Sequence, residues 1–158
     1  MRNFLILAIL FATFSLSAKE KSSASEIVKL KINLSTKGSD ISFDQTAIEA
    51  PLGKEIQLTY ANQADANSEL SHNVAIIKLG SEQKLLDSLK KNGDDLDKID
   101  QSLLLAKTKV LNPGETDTIS FRPTAPGSYT YICLMPNHGT MLGMKGTLKI
   151  VPAKKVLK

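Results

Sequence analysis

The run "IVKLKINL", residues 27–34, places an apolar side chain at alternate positions. An extended strand with one face in a core satisfies a period of two, and a helix does not. Further strand-like runs follow: "ISFDQTAIEA" (41–50, interrupted), "EIQLTYANQ" (55–63), "HNVAIIKL" (72–79), "LLLAKTKVL" (103–111), "TDTISFRP" (116–123), "SYTYIC" (128–133) and "KGTLKIV" (145–151). Pro51 with Gly53, "NPGE" and "APG" supply turns between them. One segment breaks the series. "SEQKLLDSLKKNG" (81–93) spaces Leu85, Leu86 and Leu89 as a helix does, with Ser81 placed to cap it and Gly93 to end it. "DDLDKID" after it reads as a second short helical turn. About eight strands with one helical insertion at 81–93 predict an all-β fold, a Greek-key sandwich or barrel.

The first residues are of a different kind. Arg2, an apolar run from Phe4 to Phe14 and the small residues "SLSA" read as a secretory signal peptide over 1–18, cleaved after Ser17 or Ala18. The apolar run is short for a membrane span, so an uncleaved anchor is the weaker alternative. Residues 19–26, "KEKSSASE", form a flexible lead-in, and residues 27–158 form one domain. A periplasmic or secreted protein is expected. The formal charge is +4, and loss of Arg2 with the leader lowers it to +3. The basic residues are scattered among acidic ones, without a basic block, so nothing points to nucleic acid.

A secreted chain with a single cysteine cannot close an internal disulfide. Cys133 must be buried, paired with another chain, or chemically occupied. It lies in "YTYICLMPNHGTMLGMKGTLKIV" (129–151), together with His138 and every methionine except the initiator: Met135, Met141 and Met144. A thiolate and an imidazole on one tight loop suit copper or zinc, and a thioether favours copper. The other histidine, His72, opens a predicted strand. Each residue alone would more often be core packing. Packing does not explain why the one Cys, both His and the Met residues fall together in ligand order.

These residues carry a resemblance to the cupredoxins, the small blue copper proteins, nearest the azurin and auracyanin group. "SHNVAII" resembles that group's first-histidine strand, and Cys133-Leu-Met-Pro136-Asn-His138 through Met144-Lys-Gly-Thr-Leu resembles its C-terminal ligand loop. "ISFDQTAIEAPLGKEIQLTYAN" resembles its early strands, and the helix after "HNVAIIKL" resembles its flap. Two features depart from the group: there is no second Cys for the azurin disulfide, and the step from His138 to Met144 is longer. The resemblance implies one type 1 copper ion held by His72, Cys133, His138 and Met144. Met144 directly precedes the last strand, as the axial methionine does in the similar families; Met141, in mid-loop, is the alternative. It also implies that the Asn73 and Met135 N–H groups donate to the Cys133 sulfur. The Ser71 carbonyl is a further axial contact by the same resemblance, and the Asn73 side chain is placed to tie the two ligand segments together.

The implied activity is single-electron transport by a Cu(II)/Cu(I) cycle, without bond chemistry and so not as an enzyme. Redox partner proteins would dock transiently on apolar residues around His138, namely Leu70, Leu134, Met135, Pro136, Met141 and Leu142, with the chain a monomer. A copper-binding or delivery protein of the periplasm is the second reading. A redox enzyme domain would need histidines beyond the two present. Zinc is disfavoured by the thioether alone.

Overall fold

The computed structural model describes residues 29–92 and 95–153, apart from the Asp97 side chain. The leader over 1–18, the lead-in over 19–26 and the helix stop at Gly93 lie outside the described residues. The strands are β1 (Lys29–Ser35), β2 (Ala47–Pro51), β3 (Glu55–Ala61), β4 (Ala75–Ile77), β5 (Leu104–Lys107), β6 (Thr116–Phe121), β7 (Gly127–Ile132) and β8 (Lys145–Val151). They form a three-stranded sheet in the order β1-β3-β6 and a five-stranded sheet in the order β2-β8-β7-β4-β5. β1 runs parallel to β3 and β2 parallel to β8; the other pairs are antiparallel.

The alternation seen in the sequence is the burial pattern. Ile56, Leu58 and Tyr60 of β3 point inward, as do Leu148 and Ile150 of β8. With Ile32, Leu34, Phe43, Ile76, Tyr129 and Tyr131 they fill the space between the sheets. Each such side chain contributes about 1.5–3 kcal/mol through removal from water. Gly146 pairs with Tyr131 across β7 and β8, and the tyrosine ring lies over it; a Cβ at Gly146 would fall 2.2 Å from that ring.

β4 is buried on both faces, which accounts for the unbroken apolar run "VAII". Ile76 faces the space between the sheets, while Ala75 and Ile77 face a second core. The cover of that second core is α1 (Glu82–Asn92), whose Leu85 and Leu89 stand four residues apart on one stripe. Ile99, Leu104, Ile132 and Leu134 complete it. The Ser81 carbonyl accepts the first helical bond, from Leu85 N–H at 3.0 Å, which puts Ser81 at the cap position expected of it. A short helical turn at Leu96–Lys98 matches the second turn read in the sequence.

Three predicted strands are much shorter than the sequence suggested, and of 103–111 only Leu104–Lys107 form β5, with Leu111 returning to bridge His72. In 41–50 only Ala47–Ala50 join β2, because the chain changes sheets there. Phe43 bridges Thr36 beyond β1, and Asp44 exchanges bonds with Ser35, N–H to carbonyl at 2.9 Å and Oδ1 from N–H at 2.9 Å. Phe43 then turns into the core between Tyr60 and Tyr131, with ring centroids 5.7 and 5.4 Å away. In 72–79 the ladder begins only at Ala75, since the Val74 N–H donates to the Thr108 hydroxyl at 3.0 Å instead of a ladder carbonyl.

Candidate metal centre

His72 stands outside the ladder yet is fixed to it. Its N–H donates to the Leu111 carbonyl at 3.0 Å and its carbonyl accepts from Leu111 N–H at 2.7 Å. Cys133 follows the last residue of β7, and its N–H donates to the Met144 carbonyl at 3.0 Å. The Met144 N–H in turn donates to the His138 carbonyl at 2.9 Å. Two backbone bonds thus close the loop from Cys133 to Met144 at its base.

Inside the loop, His138 N–H donates to the Met135 carbonyl at 3.0 Å. Asn137 adopts φ 66°, a left-handed conformation that Asn tolerates better than most residues, and its carbonyl accepts from Met141 and Leu142 at 3.0 and 2.9 Å. Gly139, next to His138, permits a close approach. A Cβ there would lie 2.3 Å from Ile132 Cγ1 and 2.4 Å from the Cys133 carbonyl oxygen. The sequence signals neither constraint, because both depend on how the loop folds back on β7.

The three candidate donor atoms converge. Cys133 Sγ lies 3.9 Å from His72 Nδ1 and 3.7 Å from His138 Nδ1, and the two Nδ1 atoms are 3.1 Å apart. Three ligands in a plane around a metal at about 2.0–2.3 Å stand about 3.5–3.8 Å from one another. The sulfur–nitrogen separations meet that spacing, and the nitrogen pair is somewhat closer. The imidazole rings tilt at 47° with centroids 4.8 Å apart, their Nδ1 edges turned to one point. The donor set is soft sulfur with imidazole, so the residues fit copper.

The surroundings favour the metal-ready forms of the histidines. His72 is fully buried; desolvation, and then His138 nearby, lower its pKa to about 4. Burial also lowers His138. Both imidazoles therefore stay neutral at physiological pH, the form that binds a cation. Burial pushes the Cys133 thiol up, while the N–H groups of Asn73 and Met135 donate to its sulfur and oppose the shift by favouring the thiolate. Those are the two donors that the resemblance implied. The Asn73 side chain spans the ligand segments as expected, its Oδ1 accepting from Leu134 N–H at 2.8 Å.

Of the two methionines in question, Met144 is fully buried and packs in the main core, whereas Met141 is 77% exposed. The longer step from His138 is taken up by residues 140–142, which are exposed beyond the buried Gly139 and return through Gly143 at φ 75°. Around His138, itself half-buried, Leu142 is 57% exposed, Pro136 and Met141 are exposed, Leu70 and Met135 are half-buried and Leu134 is buried. Ser71 is half-buried, with its hydroxyl donating to Asn112 Oδ1 at 2.9 Å.

Residues 30–151 match the family model described as copper binding proteins, plastocyanin/azurin family. Auracyanin-B of Chloroflexus aurantiacus is 34% identical over 116 residues, 71% of this chain, and the match spans about half, 48%, of that relative's length. Auracyanin-A of the same organism is 25% identical over 123 residues, covering 75% of this chain and 73% of that one. Among solved structures, dithionite-reduced auracyanin from Roseiflexus castenholzii superposes with a TM-score of 0.66 at 30% identity, covering 77% of this chain and 97% of its own. Among the described residues no helix is long and apolar enough to cross a membrane. The chain belongs to the copper-binding plastocyanin/azurin family of cupredoxins.

Proposed function

We propose that the protein is a periplasmic single-electron carrier whose one type 1 copper would be held by His72, Cys133, His138 and Met144. The observation that carries the reading is the convergence of two Nδ1 atoms and a thiol sulfur that already accepts two backbone N–H groups. Copper held there supplies a one-electron Cu(II)/Cu(I) couple. The chain's own part is to present neutral imidazoles and a thiolate in one fixed arrangement. The backbone bonds from Cys133 N–H to Met144 and from Met144 N–H to His138 oppose rearrangement between oxidation states. The main core keeps water from Cys133 and Met144. His138 is the one candidate ligand not buried, so electrons would pass through its edge.

Partner proteins would dock on the apolar surface of Leu70, Met135, Pro136, Met141 and Leu142, briefly and with weak salt dependence, the carrier being monomeric. The mature chain would begin after residue 17 or 18, outside the cytoplasm. Adding Cu(II) to the purified metal-free protein tests the reading. The expected result is an intense visible thiolate-to-copper band and protection of Cys133 from alkylation. A colourless product with Cys133 freely alkylated removes the reading.

A further inference from the structure

Asn62 lies just beyond β3, in the sheet that carries none of the candidate ligands. It is 1% exposed. Burying an amide costs free energy unless its donors and acceptor are satisfied, and here they are. Its Nδ2 donates to the Leu70 carbonyl at 2.8 Å and to the Leu111 carbonyl at 2.9 Å, and its Oδ1 accepts from Ala64 N–H at 3.1 Å. Neither carbonyl is arbitrary. Leu111 is the residue that exchanges two backbone bonds with His72, so its carbonyl serves His72 and Asn62 together. Leu70 lies two residues before His72 and directly after Glu69, a non-glycine residue held at φ 53°. One side chain therefore grips the main chain entering His72 and the strand segment on which His72 rests.

A histidine that ligates a metal ordinarily donates its second ring nitrogen to a fixed partner, which sets the direction of the ring. Among the described residues His72 has no such tether: its Nε2 is buried with no hydrogen-bond partner there. Its direction must come from the backbone that carries it and from packing. We infer that Asn62 is a positioning residue for the metal centre, fixing His72 Nδ1 and the adjoining Ser71 carbonyl through the carbonyls of Leu70 and Leu111. The inference rests on the copper reading above.

The test uses the full chain loaded with one equivalent of Cu(II). Asn62→Ala should keep a thiolate-to-copper band but shift it, change the copper hyperfine splitting in electron paramagnetic resonance, and weaken copper about 10–100-fold in chelator competition. Ile56→Ala is the control, since Ile56 is fully buried at the far end of β3; it should lower the melting temperature and leave band and splitting as in the parent. Ser71→Ala removes only the hydroxyl bond to Asn112 on the same two segments, and should shift the band in the same direction by less. It decides the matter if Asn62→Ala does not fold. Parental spectra and affinity in Asn62→Ala and Ser71→Ala overturn the inference, as does parental behaviour of Ser71→Ala when Asn62→Ala is unfolded. An Ile56→Ala shift as large as that of Asn62→Ala also overturns it. If the parent itself gives no thiolate-to-copper band, the copper reading fails, an outcome distinct from a blue parent with silent variants.

Discussion

Cys133 and Met144 are joined through the backbone, N–H to carbonyl at 3.0 Å, although they stand eleven positions apart in sequence. The bond continues the pairing of β7 with β8 by one step past Ile132 and Lys145. A thiol and a thioether are thereby mounted on adjacent strand ends. Sites built on such rigid elements hold their geometry better than sites carried by free loops.

Met144→Gln should therefore shift the visible band of the copper-loaded protein and lower its reduction potential, because an amide oxygen favours Cu(II) more than a thioether does. Met141→Gln, on an exposed residue, should leave band and potential near the parental values. Spectroscopy with redox titration of both variants checks the assignment; a larger effect from Met141→Gln would transfer the axial role.

Gly139→Ala places a methyl against a backbone oxygen that cannot rotate away. Overpacking of this kind costs about 1–3 kcal/mol, and the loop must lift from Ile132 to relieve it. Denaturant unfolding of the metal-free variant should show that loss, and copper affinity should fall with it. Unchanged stability would mean that the loop is not pressed against β7.

Asn73→Ala leaves the backbone donor to sulfur in place but strands the buried Leu134 N–H. An unsatisfied buried donor costs about 1–3 kcal/mol. The midpoint of urea unfolding should drop accordingly, while the thiolate-to-copper band persists. Loss of the band with unchanged stability would contradict the role given to this side chain.

Acid should destabilise the metal-free protein. The folded pKa of His72 is lowered by burial to about 4, below the unfolded value near 6.5, so the unfolded chain binds more protons between those limits. Stability then rises with pH across that window and is lost as pH falls through it. His138, lowered for the same reason, acts in the same direction. Thermal melts of metal-free protein should give a lower midpoint at pH 4.5 than at pH 7, with a smaller drop in His72→Gln.

Most strands and the α1 insertion were legible because a period of two and a period near four run along the chain, while β4 shows as an unbroken apolar run. The candidate ligands were legible because Cys and His are rare in this sequence and stand in ligand order. What escaped is tertiary. Nothing in "ISFDQTAIEA" says that Phe43 leaves one sheet before Ala47 joins the other, since Asp44 and Ser35 meet only after folding. Asn62 looks like an ordinary turn residue until Leu70 and Leu111 are seen on either side of it. Gly139 looks like loop filler until Ile132 is found beneath it.

The bond from Met144 N–H to the His138 carbonyl has one more consequence. It works like the clasp of a bracelet: whatever hangs between the two residues is outside the closed ring. The side chains of residues 140–142 can change in character without moving either neighbour, with Gly139 kept small and Gly143 kept at its left-handed turn. Exchanging the side chains at 140–142 would therefore recast the exposed surface beside His138 while leaving the backbone of the candidate ligands alone.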